Sequence, residues 1–532
     1  MPDGANSVQL RLRTELENYI KSQYFSKSPL LLNALNDRLD NEGLLYQKPF
    51  IESSPAYKTI PNGIMQSSIP DWMKDFFMKL SEAGLGVFPS PFIHQIQALE
   101  NYYQGRDLFI STGTGSGKTE CFMWPLLAKL IEEAKTSSAT WQHRGVRVII
   151  MYPMNALVSD QVSRLRRLIG DPDDKFVHIF RDTCGRQVRR PQFGMYTGRT
   201  PYAGPEPIKQ KDQALAKTLQ RLAVPENAED REYYDQLLHQ GKIPAKHDFN
   251  RFLQNLRNGD HIPGEDDAEL ITRFEMQQFC PDILITNYSM LEYMLFRPRE
   301  ERIWSDTSEW LRMDSDNKLL FIIDEAHMYR GSSGGEVALL LRRLFHKIGI
   351  GRERVQFILT TASMPNTSEK DTQYVQNFAC DLTAADHADF CYLTGERENN
   401  NGKVRFDIPD SKFLDIDVSS LEDENSQLDV ILQFWKGIQG APKGFQDINS
   451  ACDWMYRNLV TYRPFSLLLQ YCRGDAVSLK SLASSIFPDL NLAQAMIATE
   501  ALLAIATLAK DRSGAVLFPA RMHMLFRGIS GV

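Results

Sequence analysis

Along residues 8–40, apolar side chains recur at helical spacing: Val8, Leu12, Leu16 and Ile20, then Leu31, Leu35 and Leu39. Pro29 has no backbone N–H to donate and breaks the stretch into two predicted helices. Residues 41–70 carry Pro49, Pro55, Pro61, Gly63 and Pro70, a loop-like composition. Asp71 stands where a cap would open a short helix running through Leu80. This leading section, 1–86, reads as a small helical domain.

From 87 to 395 the period changes. Leu108–Ser111, Val146–Met151, Ile283–Thr286, Leu319–Ile323 and Phe357–Thr360 are short β-rich runs of strand length, and helical stretches such as Phe122–Ala134 and Ala156–Ile169 lie between them. Such mainly apolar runs predict buried strands. Their alternation with helices predicts an α/β fold, a parallel sheet with helices on both faces. Residues 205–270 interrupt the rhythm. They are rich in Lys, Asp, Glu and Gln, have a helical period in 213–222 and 231–239, and read as a mostly helical surface insertion. The stretch 396–425 is polar and acidic and reads as a solvated linker. Beyond it come predicted helices over 428–435, 451–459, 478–486 and 491–509, then a turn at Asp511–Gly514 between two apolar runs. That order suits both a winged helix and a plain helical bundle. Residues 396–532 are thus expected to form a mainly helical accessory region.

The chain has 532 residues, and at roughly 100–200 residues per domain it is long enough for about three or four. An apolar fraction of 43% and a charged fraction of 24% exclude disorder as the dominant state. The longest apolar stretch, Ala501–Ala509, is far short of the ~20 residues that span a bilayer. The first residues show no basic region followed by an apolar one, so no membrane association and no secretory signal are expected. Seven dispersed cysteines include no CxxC pair, which predicts reduced thiols in a cytoplasmic protein. With a net charge of −7, a nucleic-acid partner requires a local basic surface.

Candidate chemistry begins at Thr112–Thr119, TGTGSGKT, which follows a predicted strand and opens a predicted helix. Such a turn lets backbone approach phosphates: Gly113, Gly115 and Gly117 remove side chains, and the amides of Thr114, Ser116 and the helix start point at the anion. Lys118 supplies positive charge to the β- and γ-phosphates, and Thr119 a hydroxyl for Mg²⁺. Thr112 stands where the usual pattern begins with glycine. The second signal is Leu319–His327, LLFIIDEAH, a buried-strand run ending in two acids. Asp324 is placed to hold Mg²⁺ and Glu325 to orient and deprotonate water. Together the two motifs predict ATP hydrolysis with Mg²⁺.

These two motifs resemble those of superfamily 2 helicases of the DEAD/DEAH type, whose ATP-binding domain is a RecA-like sheet. The resemblance implies further roles. His94-Gln95 resembles the motif that reads adenine through Gln95. Pro153-Met154-Asn155-Ala156-Leu157, Thr197-Gly198-Arg199 and Thr286-Asn287 stand where the family grips a nucleic-acid backbone. Thr361-Ala362-Ser363 stands for the family's Ser-Ala-Thr, differing at two of three positions, and implies that Thr361 and Ser363 couple nucleotide to nucleic acid, with His327 as the link. The phrases PDILITNYSMLEYML and DEAHMYRGSSGGEVALLLRRL are similar to those of bacterial helicases of the YprA/MrfA repair type and of large anti-phage helicases.

The family's second RecA-like domain carries a QxxGRxxR motif, which is not found here; Cys184–Arg190, CGRQVRR, precedes the acidic motif and lacks the leading Gln. The chain is therefore expected to be the N-terminal part of a larger helicase, partnered by its missing half in cis or in trans and by other subunits of a defence system. Arginines cluster around the strand-gripping motifs: Arg164, Arg166, Arg167, Arg181, Arg186, Arg189, Arg190 and Arg199. Arg164, Arg167 and Arg199 are taken as phosphate contacts, since a guanidinium forks onto phosphate oxygens. The expected function is an ATP-dependent helicase or translocase module acting on single-stranded or partly duplex DNA, in anti-phage defence or repair. A nucleotide-dependent clamp without turnover and an RNA helicase are the alternatives, because backbone contacts carry little base or sugar information.

Overall fold

The computed structural model describes residues 5–23, 28–39, 46–47, 49–53, 57–113, 115–201, 209–223, 225, 228–362, 369–387, 389–397, 403–421, 426–472, 476–511, 514 and 516–524. Thr114 and Ser363 of the candidate motifs lie outside them, as does the side chain of Asn155. The chain forms two compact units, 57–396, and 1–56 together with 397–532.

Unit 57–396 is built on eight parallel strands: β1 (Asp107–Ser111), β2 (Val148–Tyr152), β3 (Phe193–Tyr196), β4 (Glu269–Leu270), β5 (Ile283–Asn287), β6 (Leu319–Ile323), β7 (Val355–Thr361) and β8 (Phe390–Thr394). Their spatial order is β4-β3-β5-β2-β6-β7-β1-β8. Because a strand's side chains alternate in direction, each run divides between two cores. Leu108, Ile110, Val148, Ile150, Leu320 and Ile322 enter one. Phe109, Ile149, Met151, Phe321, Ile323 and Leu359 enter the other. On the first face pack α1 (Asp71–Glu82), α2 (Ile93–Tyr103), α3 (Lys118–Thr136) and α4 (Asn155–Leu168). On the second lie α5 (Tyr288–Phe296) and α6 (Ser332–Ile348), with further helices at Glu301–Met313 and Glu369–Thr383. The predicted α/β parallel sheet with two-sided helical cover is the observed fold.

The sequence pattern groups α1 with a leading domain, 1–86. In the structure Met73, Phe76, Phe77 and Leu80 are buried in the first core of the sheet. The Phe77 ring lies 6.4 Å from that of Trp124 on α3, and Phe76 lies 6.5 Å from Phe176. Helical spacing records which face of a helix is apolar but not which core receives it. The insertion over 205–270 contains helices Lys209–Leu219, Ala228–His239 and Phe249–Asn258, and returns to the sheet as edge strand β4. Phe249, Phe252, Leu253 and Leu256 pack with Ala216 in a small core of their own. Lys246, buried between Asp267 at 3.0 Å and Glu275 at 2.5 Å, ties the insertion back to the lobe.

In the other unit, helices Ala5–Gln23 and Pro29–Leu39 bring Leu16, Ile20, Leu35 and Leu39 together with Tyr46. Leu12 and Leu31, which share the same spacing, are exposed. Helices Leu479–Ile486 and Leu492–Leu508 and the Lys510–Val516 bridge reproduce the helix–helix–turn order of a winged helix. The accompanying three-stranded antiparallel sheet takes its central strand, Phe50–Ser53, from the N-terminal segment, between Val477–Ser478 and Ala520–His523. Strand completion by a segment so far away in sequence leaves no local signal.

If α1 belongs to the sheet's core, Phe77→Ala removes a fully buried ring from the 57–396 unit. It should destabilise that unit by about 3–5 kcal/mol, measured by denaturant titration.

Candidate nucleotide and nucleic-acid site

The strand order sorts the candidate residues along the C-terminal edge of the sheet. β6, β7 and β1 are neighbours, so Asp324, Thr361 and the Thr112–Thr119 loop emerge side by side. On the other half, β3, β5 and β2 are neighbours, and their ends carry Thr197, Thr286-Asn287 and Pro153.

The glycine-rich loop is tightly held. Gly115 and Gly117 have φ of 76° and 69°, a left-handed backbone that favours glycine. A Cβ on Gly117 would fall 2.2 Å from Gln95 Nε2. Gln95 is fixed at both ends: its Oε1 accepts from the Phe92 amide at 2.9 Å, and its Nε2 donates to the Gly117 carbonyl at 3.2 Å. A His94 ring nitrogen meets the Ser116 carbonyl at 2.8 Å. The Ser116 hydroxyl donates to Thr112 Oγ1 at 2.7 Å. The position where the usual pattern has glycine is thus a side-chain acceptor inside the loop. α3 starts at Lys118 directly behind it.

Lys118 Nζ lies 3.3 Å from Glu325 Oε1, which joins the two motifs across the β1–β7–β6 edge. His327 Nδ1 faces Glu325 Oε2 at 3.2 Å and Thr361 Oγ1 at 3.1 Å. Asp324 Oδ1 accepts from the Thr360 hydroxyl and, at 2.9 Å, from the Glu325 amide. Burial, and then the charge of Glu325, push the Asp324 carboxyl above its ordinary range against the opposing effects of Thr360 and Lys118. Glu325 itself has a left-handed backbone, φ 51°, a conformation that is costly for a non-glycine residue. Tyr152 and Tyr329 are buried beside this acid with hydroxyls that have no partner among the described residues.

On the other half of the edge, the Thr286 hydroxyl donates to the Tyr196 carbonyl at 2.7 Å. Asn287 Oδ1 accepts from the Met290 amide at 2.8 Å and so caps α5. The Thr197–Thr200 turn is closed by the Thr200 hydroxyl bound to Met195 O, and by Arg273 donating to Thr197 O at 2.8 Å. Gly198 and Arg199 stand exposed at its tip.

The arginine cluster divides. Arg166 forks onto Glu269 at 2.7 Å, and Arg189 forks onto Asp282 at 2.7 Å. Arg181 pairs with Asp266 and Arg190 with Asp174. These four guanidinium groups are engaged within the chain. Arg164, 3.4 Å from Glu120, and Arg167 line a cavity of about 420 Å³ with Phe88, Thr119, Glu120 and Met123. That groups them with the start of α3, a neighbourhood their sequence position does not disclose. Sequence reasoning also missed three residues of the edge. Tyr57, whose hydroxyl accepts from the Gly113 amide at 3.0 Å, comes from a stretch read as loop. Arg273 opens a short helix, Arg273–Gln278, just past the insertion. Thr360 was visible only as one more residue of a buried strand.

A parallel sheet that brings a phosphate-type loop and an acidic pair to one edge, on strands separated by a single neighbour, is the RecA-like arrangement. The 57–396 unit is of that class. Within it, residues 93–197 match the DEAD/DEAH box helicase family. The matched span holds the glycine-rich loop and ends at Thr197, before the acidic motif. Over 561 aligned residues the chain is 36% identical to Druantia protein DruE of Escherichia coli (strain UMEA 4076-1), covering 99% of this chain and 30% of that protein. It therefore spans about a third of the length of the curated relative it matches. Among solved structures it is similar to the DUF1998 helicase MrfA bound to DNA, at 17% identity and a TM-score of 0.35, covering 77% of this chain and 40% of that one. It is also similar to the yeast DEAD-box splicing factor Prp28, at 14% identity and a TM-score of 0.32, covering 68% and 57%. No helix among the described residues is long and apolar enough to cross a membrane.

Asp324 allows a test of its buried environment. A carboxyl whose folded-state pKa is raised holds its proton more tightly when folded. Its ionisation then costs stability above the ordinary carboxylate range and costs nothing below it. Asp324→Asn should therefore raise Tm near neutral pH, and the gain should vanish as pH falls below that range; calorimetry across pH checks both limbs.

Proposed function

We propose that the chain is the ATP-binding lobe of a DNA helicase or translocase that works in anti-phage defence. The observation that carries this is the convergence of Lys118, Asp324, Glu325, His327 and Thr361 at one sheet edge, with Lys118 and Glu325 in direct contact. The residues present suit ATP with Mg²⁺: the glycine cradle leaves backbone amides and Lys118 for phosphate oxygens, and Thr119 and Asp324 offer a hydroxyl and a carboxylate to the cation. Bound Mg·ATP supplies the scissile phosphoanhydride and neutralises its charge. Glu325 orients water and takes its proton, and His327 holds that carboxylate against Thr361. Thr360 fixes Asp324. The cavity lined by Phe88, Thr119, Glu120, Arg164 and Arg167 is large enough to receive the base and ribose; Gln95 braces the loop beside it.

Nucleic acid is assigned to the other half of the edge, which carries Pro153, Asn155, Thr197, Gly198, Arg199, Thr286 and Asn287, with Gly198 and Arg199 exposed. DNA is the reading adopted and RNA the alternative, because contacts to the backbone carry little base or sugar information. A second RecA-like lobe, in cis or in trans, and other subunits of a defence system are the proposed partners.

Two measurements test this. Lys118→Ala should weaken ATP binding about 10–100-fold through loss of a charged contact. Glu325→Gln should retain binding and lower phosphate release by about 10²-fold or more. Unchanged turnover in Glu325→Gln would remove Glu325 as base. Arg199→Ala should weaken single-stranded DNA binding for all sequences alike and reduce the log–log salt slope by about 1, read from titrations at several salt concentrations.

A further inference from the structure

Phe296 and Tyr293 are among the most exposed large aromatic side chains of the 57–396 unit, at 63% and 53%. They lie one turn apart on α5, so they share a face. Each carries an arginine on its ring: Arg343 of α6 is 4.6 Å from the Phe296 centroid, and Arg297 is 4.8 Å from that of Tyr293. Neither arginine has an ion-pair partner among the described residues, in contrast to Arg166, Arg181, Arg189 and Arg190. Acids do lie nearby: Glu292 and Glu336 lie with Arg343 around Tyr288, Glu300 lies with Arg297 around Arg273, and Glu301 holds Lys347 at 2.6 Å.

The patch is continuous with the nucleic-acid half of the sheet edge. α5 begins at the end of β5, capped by Asn287. Just past its other end, Glu300 accepts from the hydroxyl of Tyr196, the last residue of β3, at 2.6 Å. Arg273, which holds the Thr197–Thr200 turn, is lowered from its ordinary value first by burial and then by the charges of Arg297 and Arg299, so these guanidinium groups share one electrostatic neighbourhood. Exposed aromatic rings with arginines over them suit a polyanion that also carries aromatic faces. Single-stranded nucleic acid has both.

We propose that α5 and α6 form a stacking platform for the bases of single-stranded nucleic acid, with Tyr293 and Phe296 as the stacking rings and Arg297 and Arg343 holding the adjoining phosphates. This rests on the nucleic-acid reading of the same sheet edge and adds a contact to bases where that reading has contacts only to backbone. Stacking is indifferent to sequence because every base has a π-face.

The test compares fluorescence anisotropy of a labelled oligothymidylate with that of an abasic strand of equal length, using the full 532-residue chain. The double variant Tyr293→Ala, Phe296→Ala should lose about tenfold or more in affinity for oligothymidylate and nothing for the abasic strand. Tyr293→Phe with Phe296→Tyr should bind as the parent chain does. Both positions are exposed, and an unchanged melting temperature verifies that the fold is kept. Unchanged oligothymidylate binding by the alanine variant overturns the platform and leaves the backbone reading standing, with the patch assigned to a protein contact. Equal loss on both strands also overturns it, since the rings would then serve the backbone grip alone. If the parent chain binds neither strand, the platform and the nucleic-acid reading fall together.

Discussion

A sheet covered by helices on both faces leaves no place for charge along its strands. Leu108, Ile110, Val148, Ile150, Leu320, Ile322, Ile358 and Leu359 are excluded from solvent, and an ionised group among them would cost far more than any local contact returns. Reactive side chains are therefore confined to strand ends. In a parallel sheet those ends fall on the same edge, which is where such folds bind ligands. The order β6-β7-β1 then makes a single neighbourhood of Asp324, Thr361 and the Thr112–Thr119 loop. The location of the candidate chemistry follows from where apolar surface had to go.

Within that edge, polar groups hold one another in place before any ligand is considered. Glu325 lies between Lys118 and His327, and Asp324 is held by Thr360. Gln95, His94 and Tyr57 close around the glycine-rich loop from three directions. Such fixed geometry is what phosphoryl transfer asks of a protein, whose contribution is positioning and electrostatics more than covalent chemistry.

Arginine is used in two ways. With a net charge of −7 the chain has no general attraction for nucleic acid. Arg166, Arg181, Arg189 and Arg190 are spent on Glu269, Asp266, Asp282 and Asp174, which fasten the insertion and the β3 and β5 approaches to the lobe. Arg199 stands exposed and Arg297 and Arg343 lie over aromatic rings. A run of arginines in sequence is thus not a basic surface until its carboxylate partners are known, and those partners lie up to about a hundred residues away.

Local chemistry determined a good deal by itself. The mainly apolar runs ending at Ser111 and Ile323 pointed to a parallel sheet buried on both faces. TGTGSGKT after one strand and Asp324-Glu325 after another marked the strand ends that matter, because motif, strand and helix are contiguous in the chain. What only the tertiary structure decided involves pairs without sequence proximity. Examples are α1 joining the sheet's core, Phe50–Ser53 completing a sheet with Ala520–His523, Tyr57 reaching Gly113, Arg273 closing the Thr197 turn, and Arg343 settling on Phe296. The physical reason is common to all of these. Periodicity and spacing record which side of an element avoids water and which backbone a turn requires, whereas the choice of partner for that side is made by packing over the whole molecule.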